Sequence, residues 1–250
     1  APLPEQKRIV GMLDKAFDCI AKARANAEKN LQNARALFES YLQSVFTQRG
    51  NGWNETTLGS VAFINSGAGF PLKFQGKIDN GIPFYKVSDM NLPGNERVMT
   101  NENNSITEDV RVELGATLYP SGSVIFPKIG GAIATNKKRL TCRPCCVDNN
   151  VMGATPRSGK ITSEYLYYFF RSYNLSDFAN DAHLPSIKKS TLEDRKISVP
   201  IKLADQETIV QQLDKLGDEA ARLESLYQRK LAALDELKKS LLHRAFTGAL

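Results

Sequence analysis

Two stretches of the chain carry apolar residues at alternating steps of three and four. In the first, Leu13, Phe17, Ile20, Arg24, Ala27, Leu31, Ala34, Phe38, Tyr41 and Val45 follow one another at that interval. In the second, Leu213, Leu216, Ala220, Leu223, Tyr227, Lys230, Leu234, Leu237 and Leu241 do the same. Such steps hold residues on one face of an α-helix, and over several heptads they make a coiled-coil seam. One basic residue interrupts each stripe, Arg24 in the first and Lys230 in the second. No proline falls inside either; Pro4-Glu5 and Asp205 supply starts, Gly50 and Gly248 stops. Each helix is then about 42 residues and about 63 Å long, far more than a small domain's core requires.

The two stretches are also copies. Residues 3–47 and 203–247 align without a gap, with identities that include Gln6/Gln206, Val10/Val210, Asp14-Lys15/Asp214-Lys215 and Phe46-Thr47/Phe246-Thr247. Shared heptad pattern accounts for leucine and alanine, but not for glutamine, Asp-Lys and Phe-Thr in register, so duplication is the better reading. One helix enters the central region and the other leaves it. Pairing along their seams therefore makes an antiparallel two-helix coiled coil, expected to project as an arm that serves as ruler or docking surface.

Between the helices the texture changes. Gly, Pro, Asn and Ser punctuate short β-like runs at Ser60–Ile64, Pro83–Val87, Thr117–Leu118 and Val124–Phe126, with Ile133 and Val147 in further strands. A helix is predicted at Ser163–Ser172, with Tyr165, Leu166, Phe169 and Phe170 as its apolar face, and a shorter one from Leu175. Phe84 and Tyr85 alternate on a strand, which places one of them in the core. The expected architecture is thus α+β (mixed α/β): helical arm at 1–50, mixed domain at 51–202 with a curved sheet, helical arm at 203–250.

Composition narrows the class without naming it. In 250 residues, 33 Lys+Arg face 27 Asp+Glu, a net charge of +6 that permits a nucleic-acid partner without requiring one. No run approaches the ~18 apolar residues of a membrane span, and no basic-then-apolar leader opens the chain. Four cysteines, three bunched at Cys142, Cys145 and Cys146, fit reduced thiols in the cytoplasm. Charge is unevenly spread: 8 basic and 5 acidic residues in the first 50, 17 and 14 in 51–200, 8 and 8 in the last 50. From Leu114 to Val147 there is no acid, yet Lys128, Lys137, Lys138, Arg139 and Arg143 are present, and Lys188-Lys189 form a second basic pair near His183. Basic residues on Gly-rich loops with Asn and Ser suit phosphate neutralisation and base-edge hydrogen bonding; the same cluster could be a solvated face.

Reaction centres are not legible. Cys142-x-x-Cys145-Cys146 lacks the remaining ligands of a zinc site, since only His183 and His243 exist and neither is at ligand spacing. The same histidines give a cysteine nucleophile no base. Gly130-Gly131 lacks the Gly-Lys-Ser/Thr of a P-loop. No adenine-methylase Pro-Pro-Tyr/Phe motif or nuclease carboxylate cluster appears. No catalytic residue and no metal site is therefore assigned.

The order of helix, mixed domain and near-copied helix ending Ala245-Phe246-Thr247-Gly248 resembles the specificity subunit of type I restriction-modification systems. Several motifs agree with that family: Gly81-Ile-Pro-Phe-Tyr-Lys-Val-Ser-Asp-Met90 with its I-P-x-x-K-x-S-D strand and loop, and Gly122-Ser-Val-Ile-Phe-Pro-Lys-Ile-Gly130 with its glycine-rich target loop. Tyr165-Leu-Tyr-Tyr168 resembles its helix, and Val199-Pro200 through Gln206 and Ile209-Val210 its domain-to-helix junction. The resemblance implies a non-catalytic subunit that reads one half of a bipartite double-stranded DNA target. Its arms would dock methyltransferase subunits and through them restriction subunits, with S-adenosylmethionine, ATP and Mg held by those partners and no cofactor in this chain.

A complete family member has two recognition domains, and this chain has one. The parallel between Ala1-Pro2-Leu3 and Pro200-Ile-Lys-Leu203 leads to the expectation that another domain once preceded residue 1, or that a half-subunit was processed or trimmed. Two copies could alternatively pair as a homodimer through the arms. Residues expected at phosphates or bases are Lys86, Ser88, Lys128, Asn136, Lys137, Lys138, Arg139, Lys188 and Lys189, while Asn149-Asn150 is read as a turn. Leu13, Phe17, Ile20, Leu31, Phe38, Leu213, Leu216, Leu223, Leu234, Leu237 and Leu241 are expected to form the seam. Two other readings stay open: a coiled-coil adaptor whose central domain binds protein, and the targeting part of a fused restriction/modification enzyme.

Overall fold

A computed structural model describes residues 2–47 and 51–248. In chain order the elements are α1 (Leu3–Thr47), β1 (Trp53–Thr57), α2 (Leu58–Val61), β2 (Ala62–Ser66), β3 (Ile82–Tyr85), β4 (Val98–Met99), β5 (Ser105–Ile106), α3 (Glu108–Glu113) and β6 (Val124–Pro127). There follow β7 (Arg139–Thr141), β8 (Cys146–Val147), β9 (Val151–Pro156), α4 (Ser163–Arg171), α5 (Lys189–Glu193), β10 (Lys196–Pro200) and α6 (Leu203–Thr247). The chain divides into two compact units, Ala1–Tyr41 with Gln212–Leu250, and Leu42–Gln211.

The helical unit follows the sequence repeat in its bounds and in two of its contacts. α1 and α6 each span 45 residues with bounds 200 apart. Their contacts run antiparallel: Arg24 pairs with Asp235, Arg35 Nε lies 3.1 Å from a Glu224 carboxylate oxygen, and Tyr41 donates to Gln212 Oε1 at 2.9 Å. Two contact pairs are mates under the repeat. Arg24–Asp235 maps onto Arg35–Glu224, and Lys238 over the Phe17 ring (5.4 Å) maps onto Phe38 against Gly217. The repeat is therefore expressed as a pseudo-twofold axis. These ion pairs are exposed and contribute little stability individually.

The first seam lies where its period placed it: Phe38 is buried and Leu13, Phe17, Ile20 and Leu31 are half-buried. In α6, Leu213 is buried and Leu216, Leu223, Leu234 and Leu241 are half-buried, but Leu237 is 47% exposed and Lys230 is exposed. A 3.6-residue turn carries the stripe through Leu231 and Lys238 instead, and the aromatic face of Phe17 takes the Lys238 ammonium.

In the mixed unit, a five-stranded sheet runs β2-β9-β6-β7-β4, a three-stranded sheet β5-β3-β8, and β1 pairs with β10. All ladders are antiparallel except β3–β8 and β4–β7. β9 lies between β2 and β6, and Gly153 in it admits the Tyr119 ring: a Cβ there would lie 2.3 Å from that ring. Phe84 and Tyr85 are both buried rather than one of the two. Their strand is covered on both faces, so Phe84 joins Ile106, Ala116 and Cys146 while Tyr85 joins Met90, Met99, Tyr119 and Ile125.

Several expected strands differ. Ser60 lies in α2 before β2 begins, Val87 opens a 3-10 turn, and Ile133 sits in another at Gly130–Thr135. Thr117–Leu118 is irregular, and Tyr119 alone makes a bridge, with Cys145. α4 is buried throughout Tyr165–Phe170 rather than on one face, with Phe126 4.8 Å from Phe170 and Phe46 5.1 Å from Tyr165 (ring centroids). At the start of α6, fully buried Gln206 accepts from Thr162 N at 2.9 Å and donates to Lys160 O and Pro200 O, both at 3.0 Å. One amide thus ties α6 to β10 and to the N-cap of α4.

Candidate nucleic-acid interface

Strand direction gathers five loops at one end of the sheets. β2 ends at Ser66, β3 at Tyr85, β6 at Pro127 and β8 at Val147, while β7 starts at Arg139 and β9 at Val151, all on that end. Backbone hydrogen bonds lace the loops together. Ala68 N donates to Val147 O (3.0 Å), Asp148 N to Tyr85 O (2.9 Å), Lys128 N to Asn150 O (2.9 Å), Ile187 N to Lys128 O (2.9 Å) and Gly130 N to Pro185 O (2.7 Å). Segments 66–69, 86–91, 128–137, 148–150 and 180–189 thus form one polar surface.

Lys86 and Ser88 stand on a loop that two buried residues build. Asp89 accepts from Lys86 N at 2.7 Å and from Asn103 Nδ2 at 2.6 Å. Asn95, also buried, accepts from Thr100 N and Asn101 N and donates to Asp89 O and Asn101 O. Ser88 is exposed; Lys86 is half-buried and donates to Gln75 Oε1 at 3.0 Å. Lys128, half-buried, reaches Ser66 Oγ at 3.1 Å, and Lys137 binds the Asn91 side chain. Lys188 and Lys189 are exposed at the start of α5, and Lys189 is 3.6 Å from Glu193.

Three of the expected contact residues, exposed Asn136 among them, also bond within the fold. Lys138 is 4% exposed, and its ammonium donates to Tyr173 O at 2.8 Å and to the Asn136 side chain. Arg139 donates to Lys138 O at 2.9 Å and Met90 O at 3.1 Å, and burial pushes its pKa down. Asn136 takes the left-handed conformation at φ +55°, where asparagine is tolerated, and its carbonyl oxygen accepts from Leu175 N at 2.9 Å. A run of basic letters cannot show that alternate side chains of a strand point inward. Conversely, Asp89, Asn95 and Asp148 organise this surface and were missed as site residues; only the Ser-Asp of the loop motif hinted at the first.

The thiols have no part in it. Cys145 and Cys146 are buried, and burial pushes the Cys146 thiol up to about 12, so it stays protonated. Among the described residues no group of three or more His, Cys, Asp and Glu side chains could hold a metal ion. No helix among them is long and apolar enough to cross a membrane.

Residues 50–231 match the model of the type I restriction modification DNA specificity domain. The chain belongs to that family. A curated relative, the MjaIX type I restriction enzyme specificity subunit of Methanocaldococcus jannaschii, is 28% identical over 102 residues, 38% of this chain and 22% of the relative. Two solved structures share the fold over 100% of this chain. One comes from a study of complex assembly and conformational transition in a type I R-M system (TM-score 0.82, 21% identity, 61% of that chain covered). The other is the HsdS subunit from Thermoanaerobacter tengcongensis (TM-score 0.68, 22% identity, 60% covered). This specificity-domain chain therefore spans about three fifths of those two chains' length, and its match covers about a fifth of the curated relative's.

Proposed function

We propose that this chain is the DNA-recognition subunit of a type I restriction-modification complex, its mixed unit reading one half of a bipartite target. The observation that carries the reading is the convergence of five hydrogen-bonded loops, bearing Lys86, Lys128, Lys137, Lys188 and Lys189, at one end of the sheets in a chain of this family. Lysines on such a surface fix register on phosphates, and neighbouring Asn and Ser groups are the length and chemistry that base edges accept. The subunit binds and positions; methylation and cleavage belong to methyltransferase and restriction subunits, which would hold S-adenosylmethionine, ATP and Mg in the cytoplasm.

A second recognition unit completes the target. Leu203, Gln206 and Val210 begin α6 within the mixed unit, and their repeat mates begin α1, where Leu3 is 64% and Val10 54% exposed. That apolar start suits a second mixed unit, for which a second copy of this chain in a homodimer is one source. Filter binding of duplex DNA, with and without the methyltransferase subunits, tests the reading. Retention that weakens steeply with salt is expected; no retention in either arm contradicts it.

A further inference from the structure

Resting on the DNA-recognition reading, we infer that Asn149 is a base-reading residue, presenting its amide to an adenine in the major groove. Asp148, Asn149, Asn150 and Val151 form the turn between β8 and β9, closed by Val151 N donating to Asp148 O at 2.9 Å. The turn explains the other asparagine but not this one. Buried Asp148 accepts from Asn150 N and Asn150 Nδ2, both at 3.1 Å, so Asp148 and Asn150 brace the loop. Among the described residues the only non-glycine with positive φ is Asn136, so residue 149 has no left-handed backbone that would select asparagine.

The mount is rigid on three sides. Asp148 N is held by Tyr85 O, Asn150 O by Lys128 N, and Val147 O by Ala68 N. Gly67 packs so closely that a Cβ would fall 2.0 Å from Asp148 O. A base-reading side chain needs that preorganisation, because its hydrogen bonds tolerate little displacement.

Availability separates Asn149 from the other amides on this surface. Asn91 is engaged by Lys137, Asn136 by Leu175 N, Asn150 by Asp148, and Asn180 accepts from Ser186 N at 2.8 Å. Exposed Asn149 has one long approach, from Asn150 Nδ2 at 3.5 Å, and no other hydrogen bond among the described residues. One donor and one acceptor on a short side chain match adenine N7 and N6.

The test is selection of a duplex library with a randomised 8-bp core, using the full chain alone and with its methyltransferase subunits. Wild type should enrich a motif holding an adenine that Asn149→Ala no longer discriminates, by about 5- to 150-fold, the range of one bidentate contact. The remaining positions and the salt dependence should be unchanged. Asn149→Asp, which keeps the shape but only accepts, should prefer cytosine there. An unchanged motif with Asn149→Ala overturns the inference while leaving DNA recognition standing, as does uniform loss of binding by a variant with wild-type melting. Wild type that enriches nothing in either arm overturns the inference and the functional reading together.

Discussion

Gln206→Ala should destabilise the mixed unit by about 3 kcal/mol. The wild-type amide makes three hydrogen bonds while fully buried, and each contributes about 1 kcal/mol net. Alanine leaves Thr162 N–H, Lys160 O and Pro200 O without that partner in a site the amide itself had sealed. For a unit of this size that corresponds to a fall in Tm of about 6–12 °C. Trp53 is the one tryptophan and stands opposite Pro200 across the β1–β10 ladder, so its fluorescence reports melting beside the lost contact. Gln206→Glu sharpens the test. One oxygen can still accept from Thr162 N, but the other meets two carbonyls without a proton, so this variant should be weakest at neutral pH and recover in acid. A Gln206→Ala melt within about 2 °C of wild type would refute the claim that one buried amide fastens α6 to β10 and α4.

Three further outcomes follow from the same geometry. Lys128→Ala with Lys137→Ala should weaken DNA binding and reduce the slope of log Kd against log salt by about two, near 0.9 per phosphate lost, whereas Lys138→Ala should lower Tm, because its ammonium is internally bonded; affinity titrations at several salt concentrations and melting curves separate the two. Burial holds the Asp148 carboxyl above its ordinary value, so the fold favours its protonated form; that stability is fully present below the ordinary carboxylate pKa, where the group is protonated folded or unfolded, and is lost as pH rises through the raised one. The Tm of Asp148→Asn relative to wild type should therefore climb as pH rises from below the ordinary carboxylate pKa toward neutrality, and a flat difference would contradict it. Gly67→Ala drives a methyl against Asp148 O and should cost about 1–3 kcal/mol in a denaturant titration.

Much of the architecture is legible in the amino-acid sequence. Sustained 4-3 spacing without proline specifies the long helices, and duplication specifies their equal bounds. The seam of α6 departs from its expected line at two points only: Lys230 and Leu237 are exposed, whereas Leu223 is half-buried as its period predicts. The repeat carried over from α1 runs through Leu231 and Lys238 there, and Leu231 is half-buried while the Lys238 ammonium lies over the Phe17 ring. Short strands were harder. β7 and β9 escaped because both are buried and lack alternation, and Ile133 looked strand-like in a segment that Gly130-Gly131 turns into a 3-10 helix.

Of the interface, the basic letters were visible but their directions were not. Lys128 and Lys137 reach toward the loop surface, while Lys138 and Arg139, adjacent in sequence, are spent on backbone carbonyls. Asn149-Asn150 read as a turn, and it is one; that the turn leaves Asn149 unaccounted for appears only once its hydrogen bonds are counted against its neighbours'.

The central claim is that the mixed unit of this chain selects the DNA sequence on which its complex acts. A genome-wide map of methylated adenine, in cells carrying the whole system with and without this chain, tests it most directly. One interrupted motif should be present only with the chain, and be lost or altered when Lys128 and Lys137 are replaced by alanine. The same motif, methylated to the same extent in cells lacking the chain, would contradict it.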